Sequence, residues 1–176
     1  MPIRENSPEV LVALDDVVEI AGPDVLALGR RTAESPRRRS RLCAHRDPAE
    51  TLHEMFICLE QDTYIRPHKH AGKVESFHIV QGEADVLIFS EEGRIQQVVS
   101  LGEFRSERPF YYRLAVPAYH SVLPRTPLVF FHETTSGPFR QGDTIYADWA
   151  PAEEETAAVA AYLAELRMLL EERAAA

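Results

Sequence analysis

Cysteine is scarce in this chain. Two in 176 residues, Cys43 and Cys58, make no disulfide framework, and they read as buried small hydrophobes. Long apolar runs are missing too: none approaches the roughly 18 residues that suggest a membrane span. The opening MPIRENSPEVLVALDD lacks the charged-then-apolar layout of a signal peptide, so a cytoplasmic protein is the expectation. Positive charge is also in short supply. With 19 Lys and Arg against 28 Asp and Glu, the net charge is −9, which speaks against general nucleic-acid binding because that needs a cationic footprint. There is no Ser/His/Asp nucleophile arrangement, no phosphate-cradling Gly-rich loop, no helix-turn-helix and no internal repeat. What remains is one globular domain with decoration at its ends, taking a small-molecule ligand.

One stretch carries the chemistry: YIRPHKHAGKVESFHIVQG, from Tyr64 to Gly82. His68 and His70 are two apart, and residues two apart on a strand share a face. Ala71-Gly72-Lys73 reads as a turn, with Gly72 free to take positive φ. Glu75 then opens a returning antiparallel strand, ESFHIV. On it Glu75, Phe77 and Ile79 share one face, and Ser76 and His78 the other. Two imidazoles and a carboxylate form a mixed N/O donor set for a divalent transition metal, Zn, Fe, Mn, Ni or Cu. A His-rich surface hairpin is the bland alternative.

Along the rest of the chain, short strands alternate with Gly and Pro turns. Residues 1–8 look untethered. Val10–Leu14 and Val17–Ile20 read as weak strands. Gly22-Pro23-Asp24 opens a helix that Ser35-Pro36 closes. Arg37, Arg38, Arg39 and Arg41 follow, a run suited to gripping carboxylate or phosphate, with a solvated basic turn as the alternative. Leu52–Leu59, Ala84–Phe89, Ile95–Leu101, a strand through His120, and Leu128–Glu133 are strands. Gly93 sits at a hairpin turn. Phe104–Tyr112 brings aromatics expected to pack under the sheet, with a loop lining a pocket mouth as the alternative. From Pro151 the chain turns helical, with three Glu in the first turn and an apolar stripe of Val159, Tyr162, Leu163, Leu166, Leu169 and Leu170. That stripe needs the sheet or a second subunit. The spacing of strands points to an antiparallel sandwich or barrel. The expected division is an N-terminal extension with a helix (1–36), a β-barrel (37–147) and a C-terminal helix (148–176).

These residues resemble the cupin superfamily. Its first motif is matched by His68-Lys69-His70, four residues, Glu75, six residues and Gly82. Gly102 and Pro117-Ala118-Tyr119-His120 stand in for the second. The chain departs from the pattern at Asp62, at the missing Gly after Pro117, in a longer Gly102–Pro117 stretch, and at Pro124. A helix ending in SPRRR, a strand ending in His45, the YIRPHKH core and the tail HETTSGPF together look like the WbuC-type cupin-fold metalloproteins, met in bacterial surface-polysaccharide gene sets. The resemblance implies a mostly β, cupin-like antiparallel jelly roll with an N-terminal helix and a C-terminal amphipathic helix. It implies metal ligands His68, His70, Glu75 and His120.

Such a site leaves metal positions open, as catalysis needs. The expected activity is that of an isomerase, epimerase or dioxygenase on a small sugar-like or acidic substrate. Arg39, Arg41, Tyr64 and Arg66 are the candidate substrate-binding residues. A non-catalytic ligand-binding or structural cupin is the alternative. A homodimer is expected, because edge strands need covering. Three free imidazoles near pKa 6.5 would make metal affinity fall by up to about three decades per pH unit in acid.

Overall fold

Strand period governs the middle of the chain, and it builds two sheets. The computed structural model describes residues 1–175. The larger sheet runs β1 (Ile3–Ser7), β2 (Val10–Ala13), β3 (Arg39–Cys43), β4 (Leu52–Glu60), β11 (Leu128–Ser136), β6 (Glu75–Gln81) and β9 (Tyr111–Leu114). The smaller runs β12 (Thr144–Tyr146), β5 (His68–His70), β10 (Tyr119–Pro124), β7 (Glu83–Phe89) and β8 (Ile95–Gly102). Pairing is antiparallel except between β2 and β3, which are joined through helix α1 (Gly22–Glu34), the crossover a parallel pair requires. The two sheets face each other as a cupin-like jelly roll.

Alternation sorts each strand's residues between the interior and an outer helix. Inside, Leu59, Phe77, Ile79, Val86, Val122, Val129 and Phe131 fill the space between the sheets. Outside the larger sheet, Leu28 of α1 packs on Leu42, Cys58 and Phe130. Buried Thr32 and Ser40 hydroxyls lie 2.5 Å apart and 2.9 and 3.1 Å from Leu28 O, so that one donates to the other and the other donates to the carbonyl. Outside the smaller sheet, Leu163 and Leu166 of α2 (Thr156–Ala175) pack on Leu87, Phe89, Tyr119 and Leu123. Each fully buried leucine contributes roughly 1.5–3 kcal/mol. The C-terminal stripe therefore finds its partner within the same chain.

Gly82 moves the chain from the larger sheet to the smaller. Its φ of 84° is a left-handed conformation, and a Cβ there would stand 2.4 Å from Leu128 O, so only glycine fits.

Several expectations are corrected. Residues 3–7 are an edge strand, β1, with a mostly exposed face; its order comes from backbone pairing to β2, which leaves no apolar alternation to read. Val17–Ile20 is not a strand; Val18 and Ile20 pack beside α1 instead. The C-terminal helix starts at Thr156, because Glu153 is drawn to Arg37 and Arg39 and Glu155 accepts from Ala152 N at 2.8 Å. In Phe104–Tyr112 only Tyr112 packs inside; Phe104, Phe110 and Tyr111 are exposed. The first 36 residues also supply β1 and β2 to the larger sheet, so the extension is part of the barrel wall.

Candidate metal centre

The two histidines of β5 and Glu75 of β6 do not form a hairpin. β5 belongs to the smaller sheet and β6 to the larger, and the turn through Gly72 (φ 70°) carries the chain across the barrel. Glu75 therefore meets the histidines face to face through the interior. His120 arrives by a different route: β10 pairs with β5 so that His120 stands directly opposite His68. His68 and His70 lie on one face of β5, and ring centroids are 4.5 Å (His68–His120), 4.9 Å (His68–His70) and 5.6 Å (His70–His120) apart. One ligand nitrogen from each ring lies within 4.8 Å of the others.

Each ring is oriented through its Nδ1. That atom is 2.8 Å from Arg66 O in His68, 3.0 Å from Ala118 O in His120 and 3.3 Å from Thr144 Oγ1 in His70. An imidazole donating from Nδ1 presents a bare Nε2, the form a metal takes. Glu75 Oε1 lies 3.0 Å from His120 Nε2 and Oε2 3.5 Å from His70 Nε2. The shorter approach lacks hydrogen-bond geometry, so His120 Nε2 and Glu75 Oε1 are both buried without a hydrogen-bond partner. Orphaned buried polar atoms are costly, and a cation among them would satisfy both. The donor set of three imidazoles and one carboxylate could hold Zn, Mn, Fe or Ni.

The electrostatics agree. Burial, reinforced by neighbouring His120, pushes His68 down to about 3, and burial lowers His70 against the pull of Glu75. Burial opposes charge on both members of the remaining pair. The mutual attraction of Glu75 and His120 outweighs it, lowering the carboxylate and raising the imidazole. Glu75 is thus an anion that wants a cation beside it.

The centre opens into a cavity of about 660 Å³, within the usual range for a small-molecule site. His68 and His70 line one side; Arg41, Met55, Glu133 and Thr135 of the larger sheet line the other. The expected register holds: Glu75, Phe77 and Ile79 are buried inside, while His78 is exposed outside. Among the expected substrate contacts, Arg39, Arg41 and Arg66 line the cavity. Tyr64 does not, and that expectation is corrected. It packs under α2 against Tyr162 and donates its hydroxyl to Pro151 O at 2.9 Å, because it lies on the outer side of the smaller sheet. Glu133 was not anticipated. Phe131, Glu133 and Thr135 alternate inward on β11, so a lone acid at an apolar-face position was the available signal. Burial, then nearby Glu75, push it up to about 8, with Arg41 and His120 pulling the other way.

A family model described as a domain of unknown function (DUF6016) matches residues 23–101. No curated protein matches the chain. Among solved structures, protein SO0799 from Shewanella oneidensis is similar at 10% identity and a TM-score of 0.51, over 60% of this chain and 72% of that one. Bacillus subtilis oxalate decarboxylase is similar at 22% identity and a TM-score of 0.49, and this chain spans 31% of its length. The Cnp3 cupin domain of Schizosaccharomyces pombe is similar at 12% identity and a TM-score of 0.44, over 56% of this chain and 64% of that one. Of these three, the first alone passes 0.5, and at its identity it speaks for the fold only.

Proposed function

We propose that this chain is a metal-dependent cupin enzyme acting on a small polar substrate. The observation that supports it is a group of ligand nitrogens from His68, His70 and His120 within 4.8 Å of one another, with Glu75 3.0 Å from His120, beside a cavity that His68 and His70 line, and with two of these buried atoms left unpartnered. A purely structural metal would be enclosed by its ligands, whereas here His68 and His70 line the open cavity. When bound, a divalent cation supplies Lewis acidity to a substrate carbonyl or hydroxyl. The chain's part is to fix three imidazoles through their Nδ1 atoms, to hold Glu75 ionised, and to offer Glu133 as a proton donor or acceptor on the cavity wall. The test is elemental analysis of untagged protein, followed by turnover assays on hydroxy acids and sugars. Activity that is lost with chelator and restored by metal is the expected result; a metal-free protein in metal-replete medium would overturn the reading.

The motif likeness to WbuC-type proteins supports a role in surface-polysaccharide metabolism, carried out in the cytoplasm. Among the described residues no helix is long and apolar enough to cross a membrane. With the C-terminal stripe already covered, the support for a homodimer is the exposed Phe104, Phe110 and Tyr111 beside edge strand β9. Light scattering should give twice the 19.9 kDa chain mass; a monomer at tens of micromolar would refute the dimer.

A further inference from the structure

Six cationic side chains line the cavity over the metal centre: Arg37, Arg39, Arg41, Arg46, Arg66 and Lys73. Four are committed to acids. Arg37 pairs with Glu9, and with Glu153 at 2.9 Å. Arg39 pairs with Glu153 at 3.0 Å and Glu9 at 3.6 Å. Arg46 pairs with Asp16. Lys73 lies 3.3 Å from Asp143 and donates to Ser136 O and Pro138 O at 2.9 and 2.6 Å.

Arg41 and Arg66 are different. Among the described residues, neither has a carboxylate within ion-pair distance. Arg41 shares the inner face of β3 with Arg39 and is the more exposed of the two, and among the described residues its side chain makes no hydrogen bond. Arg66 is anchored at one nitrogen only: it donates to Ala147 O at 2.8 Å and its guanidinium carbon lies 5.4 Å from the Tyr146 ring centroid. Its Nε is buried with no partner, and its carbonyl is the one that orients His68. Glu133, the remaining acid on the wall, forms no ion pair with either arginine. A chain of net charge −9 could neutralise two more arginines easily, yet it leaves these two facing a cavity beside a candidate metal.

We infer that the cavity selects a carboxylic acid of monosaccharide size, its carboxylate held by Arg41 and Arg66. The inference rests on the metal-site reading only in placing the acid's oxygen-bearing far end toward His68 and His70. Guanidinium forks match carboxylates bidentately, a cavity of about 660 Å³ exceeds the needs of a two-carbon acid, and Thr135 and Thr144 on the wall suit a hydroxylated body.

The test is calorimetric titration of metal-loaded protein with glucuronate, galacturonate and gluconate, against glucose, galactose and glucose 6-phosphate. At least one acid should bind tenfold or more tightly than its neutral counterpart. R41M should weaken that binding at least tenfold and R41K should recover only part of it, while R46M, which removes a committed arginine from the same wall, should leave it unchanged. Metal content, measured on the same samples, should not move. Neutral sugars binding as well as the acids, R46M costing as much as R41M, or glucose 6-phosphate alone binding would each overturn the inference. Absence of metal with the acid preference intact would overturn the metal reading and leave this one standing.

Discussion

Two groups of histidines in this protein make the instructive contrast. His68, His70 and His120 crowd one point inside the barrel; His78 and His132 stand directly opposite each other on the outer face of the larger sheet. Adjacency is common to both, but among the described residues the first group gathers three ligand atoms within 4.8 Å and the second does not. The inner rings are fixed through Nδ1 and face a buried carboxylate. The outer rings turn sideways: His132 stacks on Phe56 with centroids 4.8 Å apart, and His78 packs on Phe110 at 5.2 Å. Their Glu54 neighbour reaches only His132, at 3.7 Å and half in solvent. A further pair, His45 and His53, lies stacked with 3° between the ring planes, so their nitrogens run parallel rather than converge. A ligand set is made by orientation and an anion, not by histidine proximity.

The largest effect expected from that contrast is on metal content. E75Q or H120A should lower metal affinity a hundredfold or more, whereas H78A and H132A should leave it unchanged. Saturation at a hundred times the dissociation constant adds about 2.7 kcal/mol, or roughly 5–10 °C of melting temperature for a chain of this size. Chelator should remove that increment from wild type and H78A and do nothing to E75Q. Metal loss in H78A would erase the distinction.

The pH dependence follows next. Burial, reinforced by His120, pushes His68 down to about 3, so it has no proton to give up between pH 5 and 7, and burial lowers His70 as well. His120, raised by Glu75, has one. Affinity should fall in acid by fewer than the three decades per pH unit that free imidazoles would give, because His68 takes no part. In the metal-free chain, His120 adds stability below about pH 6.5 that is lost as pH rises through its folded value. His68 and His70, lowered on folding, do the reverse: their contribution is whole above that pH and lost as it falls. Competition titrations at pH 5.5, 6.5 and 7.5 decide the slope; three decades per unit would mean that all three rings titrate freely.

Much of the inner group was legible because its information is local. The two-residue step from His68 to His70 and the alternation Glu75, Phe77, Ile79 depend only on strand geometry. The turns at Gly72 and Gly93 depend only on glycine's freedom at positive φ. What could not be read was non-local: that β5 and β6 lie in different sheets, that His120 stands opposite His68, and that the inner face of β4 is the one bearing His53 and Met55. Glu133 was hidden for the same reason: its place on an apolar face marks it as unusual, but LVFFHE alone does not say that this face meets the site. Tyr64 was misassigned by nearness in sequence to the ligands, when the bend before His68 sends it to the far side of the sheet.

A smaller effect concerns how each inner ring is held. His68 and His120 lean on backbone carbonyls that no substitution removes. His70 leans on the Thr144 hydroxyl at 3.3 Å, a long contact across the β5–β12 pairing. Groups orienting metal-bound histidines typically contribute 10–100-fold to affinity, and the length of this contact puts T144V at about tenfold. Equal metal affinity in T144V and wild type would show that packing alone orients His70.

The smallest effect belongs to the outer group and acts on stability alone. Burial lowers the pKa of His132, with Glu54 pulling upward and His78 adding to the depression. A histidine lowered on folding contributes stability that is whole above its unfolded pKa of about 6.5 and lost as pH falls below it. H132Q removes that liability together with the stacking on Phe56. At pH 7.5 the variant should be less stable by about 1 kcal/mol, or roughly 2–4 °C. Acidification penalises only the wild type, so the gap should narrow by pH 5. Were the contact with Glu54 dominant instead, His132 would gain stability on protonation and the gap would widen. Thermal melts of both proteins at pH 7.5 and 5.0, with metal content measured alongside, separate the two: a widening gap would show that Glu54 governs His132, and metal lost in H132Q would place His132 with the inner histidines after all.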